Sequence, residues 1–102
     1  MQTFVLMSKL SAELMEDPRG RKAAGNAWME KIARACPGVK WIAHYSLLGQ
    51  YDFMDIYEAP DSQTAYKVAH ISRAEGAVRA ESWHAMPYDQ YLDLIAETEG
   101  QA

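Results

Sequence analysis

The sequence predicts a four-stranded antiparallel sheet with two helices on one face, in the order β-α-β-β-α-β. Three observations predict it. Short β-rich runs near residues 3–7, 39–48, 51–58 and 77–86 are separated by two stretches of helical periodicity. The two central runs abut through Gly49-Gln50, as in a hairpin, and helix start and stop residues bracket both helical stretches. The class is α+β, a ferredoxin-like βαββαβ sandwich, here followed by a short C-terminal helix.

The first strand is the apolar run TFVLM, residues 3–7, closed by Ser8 and Lys9. The first helix opens at Asp17, an N-cap candidate with Pro18 in the first helical position, and Ala27, Trp28, Ile32 and Ala35 recur at helical spacing. It must stop before Pro37, and Gly38 supplies the turn into a strand that starts at Val39.

In the hairpin, Gly49-Gln50 suits a two-residue type II′ loop, with glycine taking the positive φ of the first central position. That loop sets a register: Leu48 opposite Tyr51, Ser46 opposite Phe53, His44 opposite Asp55 and Ile42 opposite Tyr57. One face then carries Lys40, Ile42, His44, Ser46, Tyr51, Phe53, Asp55 and Tyr57. The other carries Trp41, Ala43, Tyr45, Leu47, Met54 and Ile56, nearly all apolar and therefore the face expected under the helices.

Pro60 ends the third strand and Asp61 caps the second helix, whose stripe is Ala65, Val68, Ala69 and Ser72. Gly76 terminates it, and AVRAESWHAM alternates as a fourth strand until Pro87. YDQYLDLIAE then forms a short helix whose Tyr88, Tyr91, Leu92 and Ile95 are expected to pack back on the body, ahead of a fraying TEGQA tail.

At 102 residues, 49% hydrophobic and 24% charged, the chain is expected to be one domain spanning residues 1–102. A single cysteine, Cys36, excludes an intrachain disulfide framework and fits a reducing cytoplasm. No basic leader precedes the first apolar run, and no run of about 18 apolar residues exists, so neither secretion nor a membrane is expected. A net charge of -4 provides no cationic footprint for nucleic acid. The uncovered sheet face, carrying Phe53, Tyr57, Tyr51 and Trp83, bears too much aromatic surface for a monomer, and face-to-face homodimerisation or a larger ring is expected.

The segment LLGQYDFMDIYEAPD resembles the GYD-domain family, whose signature falls here on Gly49, Tyr51 and Asp52, followed by Glu58, Ala59, Pro60 and Asp61. VRAESWHAMPYDQYLDLI is similar to that family's last strand and terminal helix, and the resemblance runs from Thr3 to Ile95. Gln50 and the Trp83-His84 pair depart from the family's usual pattern. The resemblance implies a dimeric α/β-barrel type of domain and no particular reaction. Similar dimeric barrels host cofactor-independent monooxygenases and isomerases, an enzymatic alternative by analogy of fold. The hairpin also resembles the effector-binding module of feast/famine transcription regulators, although no DNA-binding helix pair precedes it, which leaves a stand-alone ligand-sensing module as a third reading.

His44 and Asp55 are the sharpest pair in the register. An imidazole facing a carboxylate across two strands can be fixed in one tautomer and act as a general base, with Tyr57 on the same face, or can simply satisfy its own hydrogen bonds at an interface. With Phe53 they make candidate ligand contacts for a small organic molecule, and Lys9 at the end of the first strand could meet an anion. Asp52 sits where aspartates accept backbone N–H bonds, which makes it, like Gly49, Tyr51 and Pro60, a structural motif residue. His44, His70 and His84 show no metal-ligand spacing, and the predicted strand order 4-1-3-2 puts His44 and His84 on opposite edges; no metal or cofactor is expected. The scattered methionines and Cys36 are core filling by default.

Overall fold

The computed structural model describes residues 1–100. Its elements are β1 (Gln2–Leu10), α1 (Ala12–Met15), α2 (Arg21–Ala35), β2 (Lys40–Ser46), β3 (Phe53–Ala59), α3 (Ser62–Ala74), β4 (Ala77–Ala85) and α4 (Tyr88–Thr98). The strands form one antiparallel sheet in the order β2-β3-β1-β4, the order the sequence predicts, so β2 and β4 are its edges. The ferredoxin-like α+β fold is therefore as expected, with α1 a single turn that the sequence reading lacks.

The first helix begins later than its cap signals suggest. Asp17 does not cap it: the Asp17 carboxylate accepts from the Arg19 backbone N–H at 2.8 Å and from the Arg19 guanidinium, closing a turn of its own, and Gly20 at φ +85 leads into α2. The competing local hydrogen bond wins because an aspartate two residues before a backbone donor closes an Asx turn as readily as a helix. Asp61 does cap α3, accepting from Thr64 N–H at 2.8 Å.

The hairpin register is partly as predicted. His44 pairs with Asp55 and Ser46 with Phe53, but Trp41 rather than Ile42 faces Tyr57, because a bulge near Ile42 inserts one residue into β2. The turn differs too. Gly49 does not have positive φ, so the loop is not type II′; residues 47–52 form a wider connection closed by Leu47 N–H donating to Asp52 C=O at 2.9 Å.

Burial reverses the expected faces of β3 and of β2 beyond the bulge, while Trp41 packs against the core under the helices as expected. Tyr57 is 0% exposed and Asp55 6%, within the layer covered by α2 and α3, and Phe4, Leu6, Ile32, Val68 and Ala80 share that core. By alternation, Met54 and Ile56 point to the open face with Val5 and Trp83, and Tyr45 there is 53% exposed. Phe53 and Tyr57 are thus not on the uncovered face, whereas Tyr51 is: its hydroxyl donates to Glu81 Oε2 at 2.6 Å and its ring meets Trp83 edge-on. Polarity misleads here because a hydrogen-bonded histidine and aspartate have been folded inward. Once paired, they lose the cost that would otherwise expel them.

The terminal helix also departs from expectation. None of α4 is buried; Tyr88, Tyr91, Leu92 and Ile95 are 70, 48, 44 and 36% exposed, and the molecule measures 57 × 30 × 18 Å. Proline at position 87 stops β4 and sends the helix away from the sheet instead of back across it. Of the tail, Thr98 ends α4 and Glu99 caps it, while Gln101 and Ala102 lie outside the described residues.

Candidate functional site: a cavity between sheet and helix

A cavity of ≈ 250 Å³ opens between the sheet and the N-terminal half of α2. Its origin is legible in the helix sequence. Ala24, Gly25 and Ala27 line it from α2, leaving the space that larger side chains would fill, while Trp28 and Ile32 further along α2 pack onto the core. The floor is Ser8 and Leu10 from β1, His44 from β2, and Phe53 and Asp55 from β3. Trp28, Ser72 and Glu75 form one wall, and Leu14, Arg19 and Arg21 close the end near α1.

Several polar groups here are held by neighbours. Trp28 Nε1–H donates to Ser72 Oγ at 2.9 Å, and the Ser72 hydroxyl donates to Val68 C=O at 2.8 Å, fixing the indole against Trp41, whose ring centroid is 5.1 Å away. Trp41 in turn stands 5.2 Å from the His44 ring, so the bulge that turns Trp41 inward also buttresses the imidazole. Lys31 pairs with Glu75 at 3.0 Å.

His44 Nδ1 is 2.7 Å from Asp55 Oδ1. Burial raises the Asp55 carboxyl above its ordinary range, and the hydrogen bond from His44 pulls in the opposite direction. When Asp55 is ionised it only accepts, so a neutral His44 carries its proton on Nδ1 and presents Nε2 as an acceptor, on a side chain that is 41% exposed. A ring nitrogen presented this way can accept a ligand hydrogen bond or take a proton from a bound molecule.

The remaining candidates separate. Phe53 lines the cavity, with the Arg21 guanidinium 6.0 Å from its ring centroid. Tyr57 lies deeper: its hydroxyl bonds Ser82 Oγ at 2.8 Å, burial raises its pKa, and it does not line the cavity. Lys9 is exposed and outside the cavity, since its neighbours Ser8 and Leu10 are the residues that face inward. Sequence reasoning missed Arg21 and Trp28 as cavity residues; the small-residue spacing Ala24, Gly25, Ala27 was the available signal.

The signature residues brace the hairpin. Asp52 Oδ2 accepts from Leu10 N–H at 2.9 Å while Asp52 N–H donates to Ser8 C=O at 2.8 Å, clamping the loop to the end of β1 where its pairing with β4 shifts register. Because Ser8 and Leu10 are cavity residues, this clamp sets the floor of the site. Pro60 lies against Gly38, where an added Cβ would stand 3.2 Å from its ring, and Gly49 is exposed with open space around it. No group of three potential metal-ligating side chains occurs among the described residues, and no described helix is long and apolar enough to cross a membrane.

Fold and site together define a ferredoxin-like α+β domain with a histidine–aspartate pair in a cavity between its sheet and its first long helix. The sequence model of the GYD domain matches residues 4–95, and the chain belongs to the GYD-domain family. It is 31% identical over 100 residues to the glutamine synthetase and cystathionine beta-lyase binding protein of Thermus thermophilus, across 94% of this chain and 97% of that protein. The crystal structure of FFRP-DM1 is similar in fold, with a TM-score of 0.53 and 20% identity over 84% of this chain and all (100%) of that one.

Proposed function

We propose that this protein is a homo-oligomeric binding and assembly protein that takes a small organic ligand in the cavity beside His44 and Asp55 and engages other proteins through its surface. The observation that carries the ligand reading is a buried carboxylate whose imidazole partner reaches an apolar cavity. Ligand sites combine such walls with a few fixed polar groups. Phe53 supplies wall surface, whereas Tyr57 supports the floor from below and Lys9 has no part in it.

Self-association is supported by two apolar surfaces that no described residue covers. One is the open sheet face, with Tyr45 53% and Trp83 48% exposed; the other is the stripe along α4. Engagement of protein partners is supported by the name of the Thermus relative, a glutamine synthetase and cystathionine beta-lyase binding protein. We place the protein in the cytoplasm because its one cysteine, Cys36, is free and buried, which suits a reducing compartment.

The enzymatic alternative, a cofactor-independent monooxygenase or isomerase, rests on the same His44–Asp55 pair acting as a general base. Native mass spectrometry of untagged protein tests the main reading. A dimer or larger ring retaining a stoichiometric small molecule supports it; a monomer removes the assembly argument, and an adduct that returns chemically altered favours the enzyme.

A further inference from the structure

We infer that the cavity's ligand is a small monocarboxylate with an apolar body, its carboxylate held by Arg21. The inference rests on the ligand-binding reading above and adds the ligand's class. Among the charged side chains that line the cavity, Arg19 is paired with Asp17 at 2.8 Å, Glu75 with Lys31 at 3.0 Å and Asp55 with His44 at 2.7 Å. Arg21 alone among them has no ion-pair partner within 4.0 Å among the described residues.

Arg21 is nevertheless held in place. Its Nη1–H donates to Leu14 C=O at 3.0 Å and its guanidinium stands over Phe53, so one of its five N–H donors is anchored and the fork remains to receive a planar carboxylate side-on. A positioned guanidinium beside apolar walls and without an ion pair of its own favours an anion that supplies one, since the Asp17 carboxylate that feels its charge is already engaged by Arg19. One unpaired cation matches one negative charge, which favours a monocarboxylate over a phosphate dianion. The body of the ligand must be apolar and small. Leu10, Leu14, Trp28, Met29 and Phe53 line the space, and ≈ 250 Å³ corresponds to roughly eight waters at about 30 Å³ each.

Titration of the full-length protein with phenylacetate, phenylacetamide and phenethylamine, followed by amide chemical shifts of cavity residues, tests this. The expected result is that phenylacetate shifts Leu10 and Phe53 with an affinity about tenfold or more above the neutral amide, the amine binding least. Arg21→Gln should lose that preference while melting as the parent does, whereas Arg19→Gln should keep it. If the amide binds as well as the acid, or Arg21→Gln retains the preference, the carboxylate assignment is wrong although the cavity still binds ligands. If none of the three probes shifts cavity resonances, the ligand-binding reading itself fails. Should Arg21→Gln melt lower than the parent, Arg21→Lys decides: it keeps the charge without the fork, and undiminished phenylacetate binding there overturns the side-on geometry.

Discussion

His44 on the edge strand β2 and Asp55 on β3 are direct cross-strand partners whose side chains meet at 2.7 Å beneath the helices, one 41% exposed and the other 8%. The carboxylate is the buried half of the pair, and burial raises its pKa above the ordinary 3.8. The folded state therefore holds the Asp55 proton more tightly than the unfolded chain does. Stability from this group is fully present below the unfolded pKa and is lost as pH rises through the folded one. Asp55→Asn removes that dependence while keeping an oxygen to accept from His44. Melting of both proteins between pH 4 and pH 7 should show the variant gaining on the parent as pH rises. The depressed carboxylates Asp17, Asp61 and Glu81 are common to both and cancel. A difference that stays constant with pH would rule out a burial-strained Asp55.

Asp52→Ala should destabilise the fold by about 1–3 kcal/mol in urea titrations, because Leu10 N–H loses its acceptor in a part-buried position. Asp52→Asn keeps a carbonyl oxygen there and should cost less. Equal losses would mean that the charge, and not the hydrogen bond, secures the loop.

Two glycines are expected to respond oppositely to alanine. Gly76 has φ +114, and an added Cβ would stand 2.8 Å from Leu14 Cδ2, so Gly76→Ala should cost more than about 1 kcal/mol, several degrees in melting temperature for a domain of this size. Gly49 has neither a positive φ nor a neighbour within 4 Å, and Gly49→Ala should be neutral or slightly stabilising. A large loss at Gly49 would restore the tight II′ turn that the sequence suggests.

Charging the uncovered apolar surfaces should reduce oligomer mass while leaving the fold intact. Leu92→Glu on α4 and Trp83→Glu on β4 both alter side chains that are about half exposed and lie outside the buried core, so the far-ultraviolet spectrum should not change. Native mass spectra should move toward the monomer. An oligomer that survives both changes together is assembled through some other surface.

Much of the fold was legible because it depends on local chemistry. Asp61 caps α3, Pro37 and Gly38 separate α2 from β2, and alternation fixes the strands. The pairing of His44 with Asp55 was also legible, since the wider connection over residues 47–52 is centred on the same two residues, 49 and 50, and so leaves the register outside it unchanged. The side of the sheet was not. Both faces of β3 carry large apolar residues, and the rule that polar groups face water fails when two of them satisfy each other.

The sequence by itself determined the order of the strands and the longer helices, the antiparallel hairpin and the His44–Asp55 partnership, all consequences of neighbours along the chain or across one turn. Tertiary structure alone decided the rest. Packing of α2 and α3 selected the buried face, a bulge near Ile42 brought Trp41 in beside His44, and the unfilled space at Ala24, Gly25 and Ala27 placed Arg21 at a cavity. Those outcomes depend on which distant surfaces meet. Periodicity gives each element a face, but the fit between elements chooses where that face is spent.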